Sequence, residues 1–312
     1  MRKQSPKYNF VFISGIIIIL LSVGVWLWFY TSEDIDTDVV MVPPEIEVEP
    51  EPIPDPFPVV RSLGESVEGR NIEVYSFGDT EKRVLLVGGI HGGYEWNSIV
   101  LAYEMIDYLT VNPDFIPEGM SVDIIPNLNP DGLYVATGLE GRFVSTDIKD
   151  NSMHQTGTGR FNANDVDLNR NFDCNWEPSS SWRGQVVSAG EAPFSEPEAI
   201  LLRDLVSENK PLAAAFWHSQ ANNVYASECN DGPLPLTLEI MQAYADAGNY
   251  GAVPVFDAYP ITGDVEGWMA SVGIAAITVE LETRTDSEWD RNLAGTRAML
   301  EAVDRYLAEI GD

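Results

Sequence analysis

The sequence predicts an α/β domain built on one open, largely parallel mixed sheet with helices on both faces. Three observations carry that prediction. Short apolar runs suited to buried strands alternate with segments of helical periodicity. Two of the runs end in histidine, VLLVGGI before His91 and LAAAFW before His218. A third, Ala275–Leu281, carries one charge, Glu280, near its end. In open α/β sheets, functional side chains gather beyond the strand ends.

The chain begins with a basic tail, residues 1–9, holding Arg2, Lys3 and Lys7. Phe10 to Tyr30 is uncharged and apolar apart from two serines, and it matches the roughly 20 residues a helix needs to cross a bilayer. Bases before it and acids after it predict a cytoplasmic N-terminus with the remainder outside. The run ends Trp26-Leu27-Trp28-Phe29-Tyr30, an aromatic belt rather than a small-residue cleavage site. An uncleaved single-pass anchor in the cell membrane is therefore expected. The alternative is a cleaved signal peptide and a secreted domain. Residues 31–58 are rich in proline and acid, the composition of a semi-stiff spacer.

Residues 59–312 read as the folded domain. Val84–Ile90 is a buried-strand run, followed by helical spacing from Glu95 to Leu109. Val122–Pro126 is a strand. The stretch from Pro130 to Val166, rich in Gly, Asn, Asp and Thr, reads as a long functional loop. Ser195-Glu196-Pro197-Glu198 reads as a capping box opening a helix to about Glu208. Leu212–Trp217 is a strand, Leu236–Tyr250 a helix and Ala275–Leu281 a strand. A closing helix spans Glu288–Ile310, with Ser287 as its expected cap.

Composition narrows the function. With 18 Lys and Arg against 49 Asp and Glu, the net charge of −31 excludes nucleic-acid binding, which needs cations for the phosphates. A monomer is expected. The two cysteines, Cys174 and Cys229, are too few for a cysteine metal site. They read as one disulfide in an oxidising compartment, with two buried thiols as the alternative. Among the three histidines, His154 lies in the polar loop and reads as solvated. His91, Glu95 and His218 form the set a hydrolytic zinc ion requires: three His or carboxylate ligands and an open position.

Further motifs follow in order: Ser66-Val-Glu-Gly-Arg70, Asn127-Leu-Asn-Pro-Asp131-Gly132, Gly159-Arg160-Phe161-Asn162 and Asp167-Leu-Asn169-Arg170-Asn171. Then come Phe194-Ser-Glu-Pro-Glu198, Tyr259-Pro-Ile-Thr-Gly263 and Thr278-Val-Glu280-Leu281. The ordered set resembles the zinc carboxypeptidase family, in the bacterial branch that includes murein peptide amidases, over nearly all of residues 60–310. The resemblance implies one zinc ion held by His91, Glu95 and His218. It implies Glu280 as general base and acid toward a metal-activated water, and Arg160 as the cation steadying the oxyanion. Asn169 and Arg170 would hold the free C-terminal carboxylate of a peptide. Tyr259 would close over the chain end, and Asp167 would orient the ring of His91. Glu282 is the nearby competitor to Glu280, and the family match selects Glu280.

One departure stands out. Three residues rather than two separate His91 from Glu95, and the intervening glycines allow a turn to absorb the extra one. The implied activity is removal of a C-terminal residue from peptides, including cell-wall stem peptides. An N-acyl amino acid deacylase of the same fold is one alternative. A metal-free binding module, favoured only by the extra residue, is the other. Asp264, Val265 and Glu266 fall in the segment that lines the pocket for the last side chain. Acids there suit a basic or diamino-acid residue, although a charged helix start with Asp264 or Glu266 facing water is the favoured account.

Overall fold

The structure, a computed structural model, describes residues 58–257 and 260–311. The strands are β1 (Val59–Glu65), β2 (Asn71–Phe77), β3 (Arg83–Val87), β4 (Ser121–Ile125), β5 (Ser179–Trp182), β6 (Gln185–Ser188), β7 (Ala213–Ser219), β8 (Asn223–Ala226), β9 (Gly251–Val253) and β10 (Ala275–Leu281). The helices are α1 (Trp96–Val111), α2 (Pro130–Thr137), α3 (Met153–Thr156), α4 (Pro197–Asn209), α5 (Pro235–Gly248), α6 (Val265–Ser271) and α7 (Trp289–Gly311).

Eight strands form one mixed sheet in the order β1-β2-β4-β3-β7-β10-β8-β9, and β5 and β6 make a separate hairpin. The centre is parallel: β4 with β3, β3 with β7 and β7 with β10. Antiparallel pairs flank it, β1 with β2 and β2 with β4 on one side and β10 with β8 on the other. The central strands read as continuous apolar runs because both of their faces are covered. Val84, Leu86, Ala213, Ala215, Ile277 and Val279 point into a core that includes α1, α5 and α7. Their neighbours Leu85, Val87, Ala214, Phe216 and Ala276 point the other way, against α4 and α6. Helices therefore cover both faces, as expected. Among the described residues no helix is long and apolar enough to cross a membrane. The expected span from Phe10 to Tyr30, the spacer up to residue 57 and Tyr259 lie outside the described residues.

Two local expectations fail and one helix boundary shifts by a residue. The stretch after Pro130 is not a featureless loop. The Asn129 side chain accepts from Gly132 N at 2.8 Å, Pro130 occupies the first helical turn, and Gly138 ends α2 in the left-handed region at φ 72°. The short helix α3 follows. Ser195 does not close a capping box, because its hydroxyl donates to Glu196 Oε1 at 2.7 Å and α4 has no side-chain cap. The last helix begins at Trp289, one residue beyond its expected start, after Glu288 in a positive-φ conformation at 51°.

Cys174 and Cys229 form the expected disulfide, with Cα atoms 5.8 Å apart and 55 residues of separation. A loop of that length restricts the unfolded chain, so the double variant Cys174→Ser/Cys229→Ser is expected to lose about 2–4 kcal/mol of stability. The check is the urea midpoint of oxidised wild type against the variant. Equal midpoints would discount the bridge.

Candidate metal centre and its cleft

The parallel pairing of β7 with β10 sets His218 beside Glu280 at the carboxyl ends of both strands. β3 stops at Val87, where a turn follows. A side chain at Gly88 would meet Ser98 O at 2.7 Å and Pro126 O at 2.8 Å, so only glycine lets the chain pass. Gly92, at φ +45°, then begins the 3-10 turn Gly92–Glu95 that leads into α1. That turn takes up the extra residue between His91 and Glu95, and both side chains arrive at one point.

There Glu95 Oε2 lies 3.0 Å from His91 Nδ1 and 3.1 Å from His218 Nδ1, and the two Nδ1 atoms are 3.2 Å apart. A tetrahedral zinc ion with ligands at about 2.0–2.1 Å sets its donors about 3.3 Å from one another. The three atoms thus form one face of such a tetrahedron. All three residues are buried, and among the described residues this is the one group with metal-binding convergence. Donor chemistry and spacing fit zinc.

The electrostatics agree with a site shaped for positive charge. Burial opposes ionisation of Glu95, yet His91 and His218 hold it well below the usual carboxylate range. Burial likewise disfavours the His218 cation, but Glu266 and Glu95 outweigh it and push the ring up to about 10. Each imidazole has a carboxylate behind it. Asp167 Oδ1 is 3.5 Å from His91 Nε2, and Glu266 Oε1 is 3.3 Å from His218 Nε2. Asp167 is fully buried behind His91. Glu266 is a finding: it is buried against His218 and accepts from Thr278 Oγ1 at 3.0 Å. Its place in sequence suggests only a pocket wall or a solvated helix start.

Arg160 is pinned by Asp167, whose Oδ2 accepts from Nε at 3.1 Å and from Nη2 at 2.9 Å. Its Nη1 is left 3.3 Å from His91 Nδ1 and 3.9 Å from Glu95 Oε1. Asn169 accepts from Val265 N at 2.9 Å, which ties the turn Leu168–Arg170 to the start of α6. Arg170 Nε donates to Ser180 Oγ at 3.2 Å. Burial, then Glu95, push the Glu280 carboxyl up to about 7, and its Oε2 has no hydrogen-bond partner among the described residues. Glu282 is exposed, pairs with Arg291 at 3.0 Å and is not among the residues lining the cleft around Glu280.

His91, Glu95, Arg160, Asn169, Arg170, His218 and Glu280 all line one cleft of about 590 Å³. Asp264, Glu228 and Thr278 share it. Asp264 caps α6, accepting from Gly267 N at 2.8 Å, and burial with the nearby Glu266 pushes it up to about 6. His154 is not solvated. It is half-buried, its ring centroid lies 6.4 Å from that of Trp96 in a stacked arrangement, and burial and then Arg284 push it down to about 4.

Comparison with known proteins places this arrangement. The chain is 26% identical over 257 residues to the Gamma-D-glutamyl-L-diamino acid endopeptidase 1 of Lysinibacillus sphaericus, covering 73% of this chain and 62% of that protein. It is 25% identical over 275 residues to Carboxypeptidase E of Caenorhabditis elegans, covering 76% and 55%. The chain therefore spans less than two thirds of the length of these curated relatives. The crystal structure of the murein-tripeptide amidase MpaA from Escherichia coli O157 superposes with a TM-score of 0.59 at 23% identity, covering 78% of this chain and 92% of that one. Bovine thrombin-activatable fibrinolysis inhibitor superposes with a TM-score of 0.61 at 19% identity, covering 81% and 91%. These likenesses establish a shared fold. The family model for zinc carboxypeptidases matches residues 57–290, three quarters of the sequence, and the chain belongs to the zinc carboxypeptidase family.

Proposed function

We propose that this chain is a zinc-dependent peptide hydrolase that removes a C-terminal diamino acid from short acidic peptides of the cell-wall stem kind. The observation that carries the reading is the meeting of His91 Nδ1, Glu95 Oε2 and His218 Nδ1 in the same cleft as Glu280, Arg160 and Arg170. Zinc held there supplies a Lewis acid that polarises a carbonyl and brings a water pKa from about 15.7 towards about 7.

The protein's own groups do the rest. Glu280 takes the proton of the attacking water and passes it to the leaving amine nitrogen. Arg160, held rigid by Asp167, offers Nη1 to the oxygen on which charge develops. Asn169 and Arg170 grip the terminal carboxylate, which fixes the last residue so that the bond before it meets Glu280. The leaving residue's side chain then faces Asp264. A carboxyl pushed up by burial and by the neighbouring Glu266 is stabilised by an ammonium group, so a lysine or diaminopimelate side chain suits it. Two similar proteins support that choice through their own names, one a gamma-D-glutamyl-L-diamino acid endopeptidase and one a murein-tripeptide amidase. The apolar run from Phe10 to Tyr30 supports a membrane-tethered domain outside the cell, where wall peptides occur.

The test is a release assay for the free C-terminal amino acid. Substrates are γ-D-glutamyl-L-lysine, γ-D-glutamyl-diaminopimelate, α-linked peptides ending in Lys or Leu, and N-acetyl-leucine. Chelator-sensitive release from the γ-glutamyl pair is expected. Hydrolysis of N-acetyl-leucine alone would replace the reading by a deacylase. Arg170→Ala is expected to raise KM about 10- to 100-fold, the loss of a bidentate charge-assisted contact, with a smaller effect on kcat. An unchanged KM would remove Arg170 from the carboxylate site.

A further inference from the structure

One guanidinium in the cleft has no part in that chemistry. Arg284 stands four residues after Glu280, beyond the end of β10, and lines the cleft with Glu280, Arg160 and Trp182. Its guanidinium lies over the ring of Tyr94, 4.2 Å from the centroid. Tyr94 and Trp182 form an edge-to-face pair with centroids 5.3 Å apart, and Arg160 and Arg183 also lie over Trp182, at 4.8 and 4.9 Å. Three cations thus share one aromatic pair. Two of them are committed: Arg160 to Asp167, and Arg183 to the backbone oxygens of Gln155 and His154 at 3.0 and 2.9 Å.

Arg284 is not. Its Nε and Nη1 are shielded from solvent and have no hydrogen-bond partner among the described residues. Shielded N–H groups without acceptors are costly and rare in folded chains. Acid is abundant here, at 49 Asp and Glu against 18 Lys and Arg, and Glu280 feels this cation across the cleft, yet among the described residues no carboxylate hydrogen-bonds its Nε or Nη1. Such a group, preset on an aromatic face in the cleft that Glu280 lines, is suited to receive an anion.

We infer that Arg284 binds a carboxylate carried by the acyl part of the substrate, the free α-carboxylate of a γ-linked glutamyl unit. The inference rests on the diamino-acid reading above and deepens it. In a γ-glutamyl peptide the chain continues through the side-chain carboxyl, so the α-carboxylate stays free on the acyl side of the scissile bond. That substrate brings two carboxylates into the cleft, and two arginines on separate elements line it. Arg170, on the turn before α6, takes the one at the chain end. Arg284, against the Tyr94 turn, takes the other. An α-linked peptide has no carboxylate at that place, so Arg284 selects for the γ linkage.

The experiment compares γ-D-glutamyl-L-lysine with its α-amide analogue, γ-D-isoglutaminyl-L-lysine, using wild type, Arg284→Met and Arg284→Lys with zinc content verified. Wild type is expected to favour the acid. Arg284→Met is expected to lose about 10- to 100-fold in kcat/KM on the acid and to change little on the amide, with Arg284→Lys intermediate. Equal losses on both substrates in both variants, or no loss on either, overturn the role of Arg284 while leaving the diamino-acid reading intact. Wild type that cleaves an α-linked peptide ending in lysine but neither γ-linked substrate removes the γ-glutamyl reading, and this inference with it.

Discussion

Glu280→Gln is expected to lower kcat by about 100- to 10,000-fold, the contribution of a well-placed proton carrier, and to leave bound zinc and KM close to wild type. The carboxyl ends β10 beside His218 and is not one of the three converging donors. Its Oε2 has no partner among the described residues. A carboxylate that helps neither to hold the metal nor to knit the core is free to move a proton. Glutamine keeps the shape and polarity but cannot accept and return a proton at that atom. Parallel measurement of turnover and zinc stoichiometry separates this role from ligation. Near-normal kcat with full zinc would falsify it, and loss of zinc would make Glu280 a ligand instead.

The burial that sets Glu280 apart also decides which parts of the fold and site are legible in the sequence. β3, β7 and β10 are covered on both faces, so each appears as a largely apolar run, and a polar residue near such a run's end is conspicuous because its burial is costly. His91, His218 and Glu280 stand out for that reason. Strands β1, β8 and β9 do not, because they lie toward the sheet margins with partly or largely exposed residues and leave no apolar run. Helix α2 is hidden by its brevity, although Asn129 followed by Pro130 is a start signal. Glu266 is easily misread because an acid in a first helical turn is ordinarily explained by the helix dipole. Its contact with His218 joins α6 to β7, and no local pattern reports such a meeting. Arg284 is the same case: nothing near it in sequence indicates that Tyr94, far earlier in the chain, will lie beneath it.

His218→Ala is expected to weaken zinc binding more than any change behind the ligands, and activity should fall with it. His218 Nδ1 closes the triangle with His91 and Glu95, and its removal leaves two donors. A partner that orients a ligand is typically worth about 10- to 100-fold in metal affinity, so Glu266→Gln sets the lower mark in the same titration. Glu266 fixes the far nitrogen of that ring at 3.3 Å, and glutamine there keeps the bulk while weakening the hold. A chelator competition on wild type, Glu266→Gln and His218→Ala should give a graded series in that order. Excess zinc should restore turnover in Glu266→Gln, because its three donors are intact, and should not restore it in His218→Ala. If His218→Ala holds zinc as tightly as wild type, the ion is bound elsewhere and the assignment of the cleft fails. If instead Glu266→Gln loses zinc as fully as His218→Ala, Glu266 is itself a ligand, and the metal sits on the other side of the imidazole.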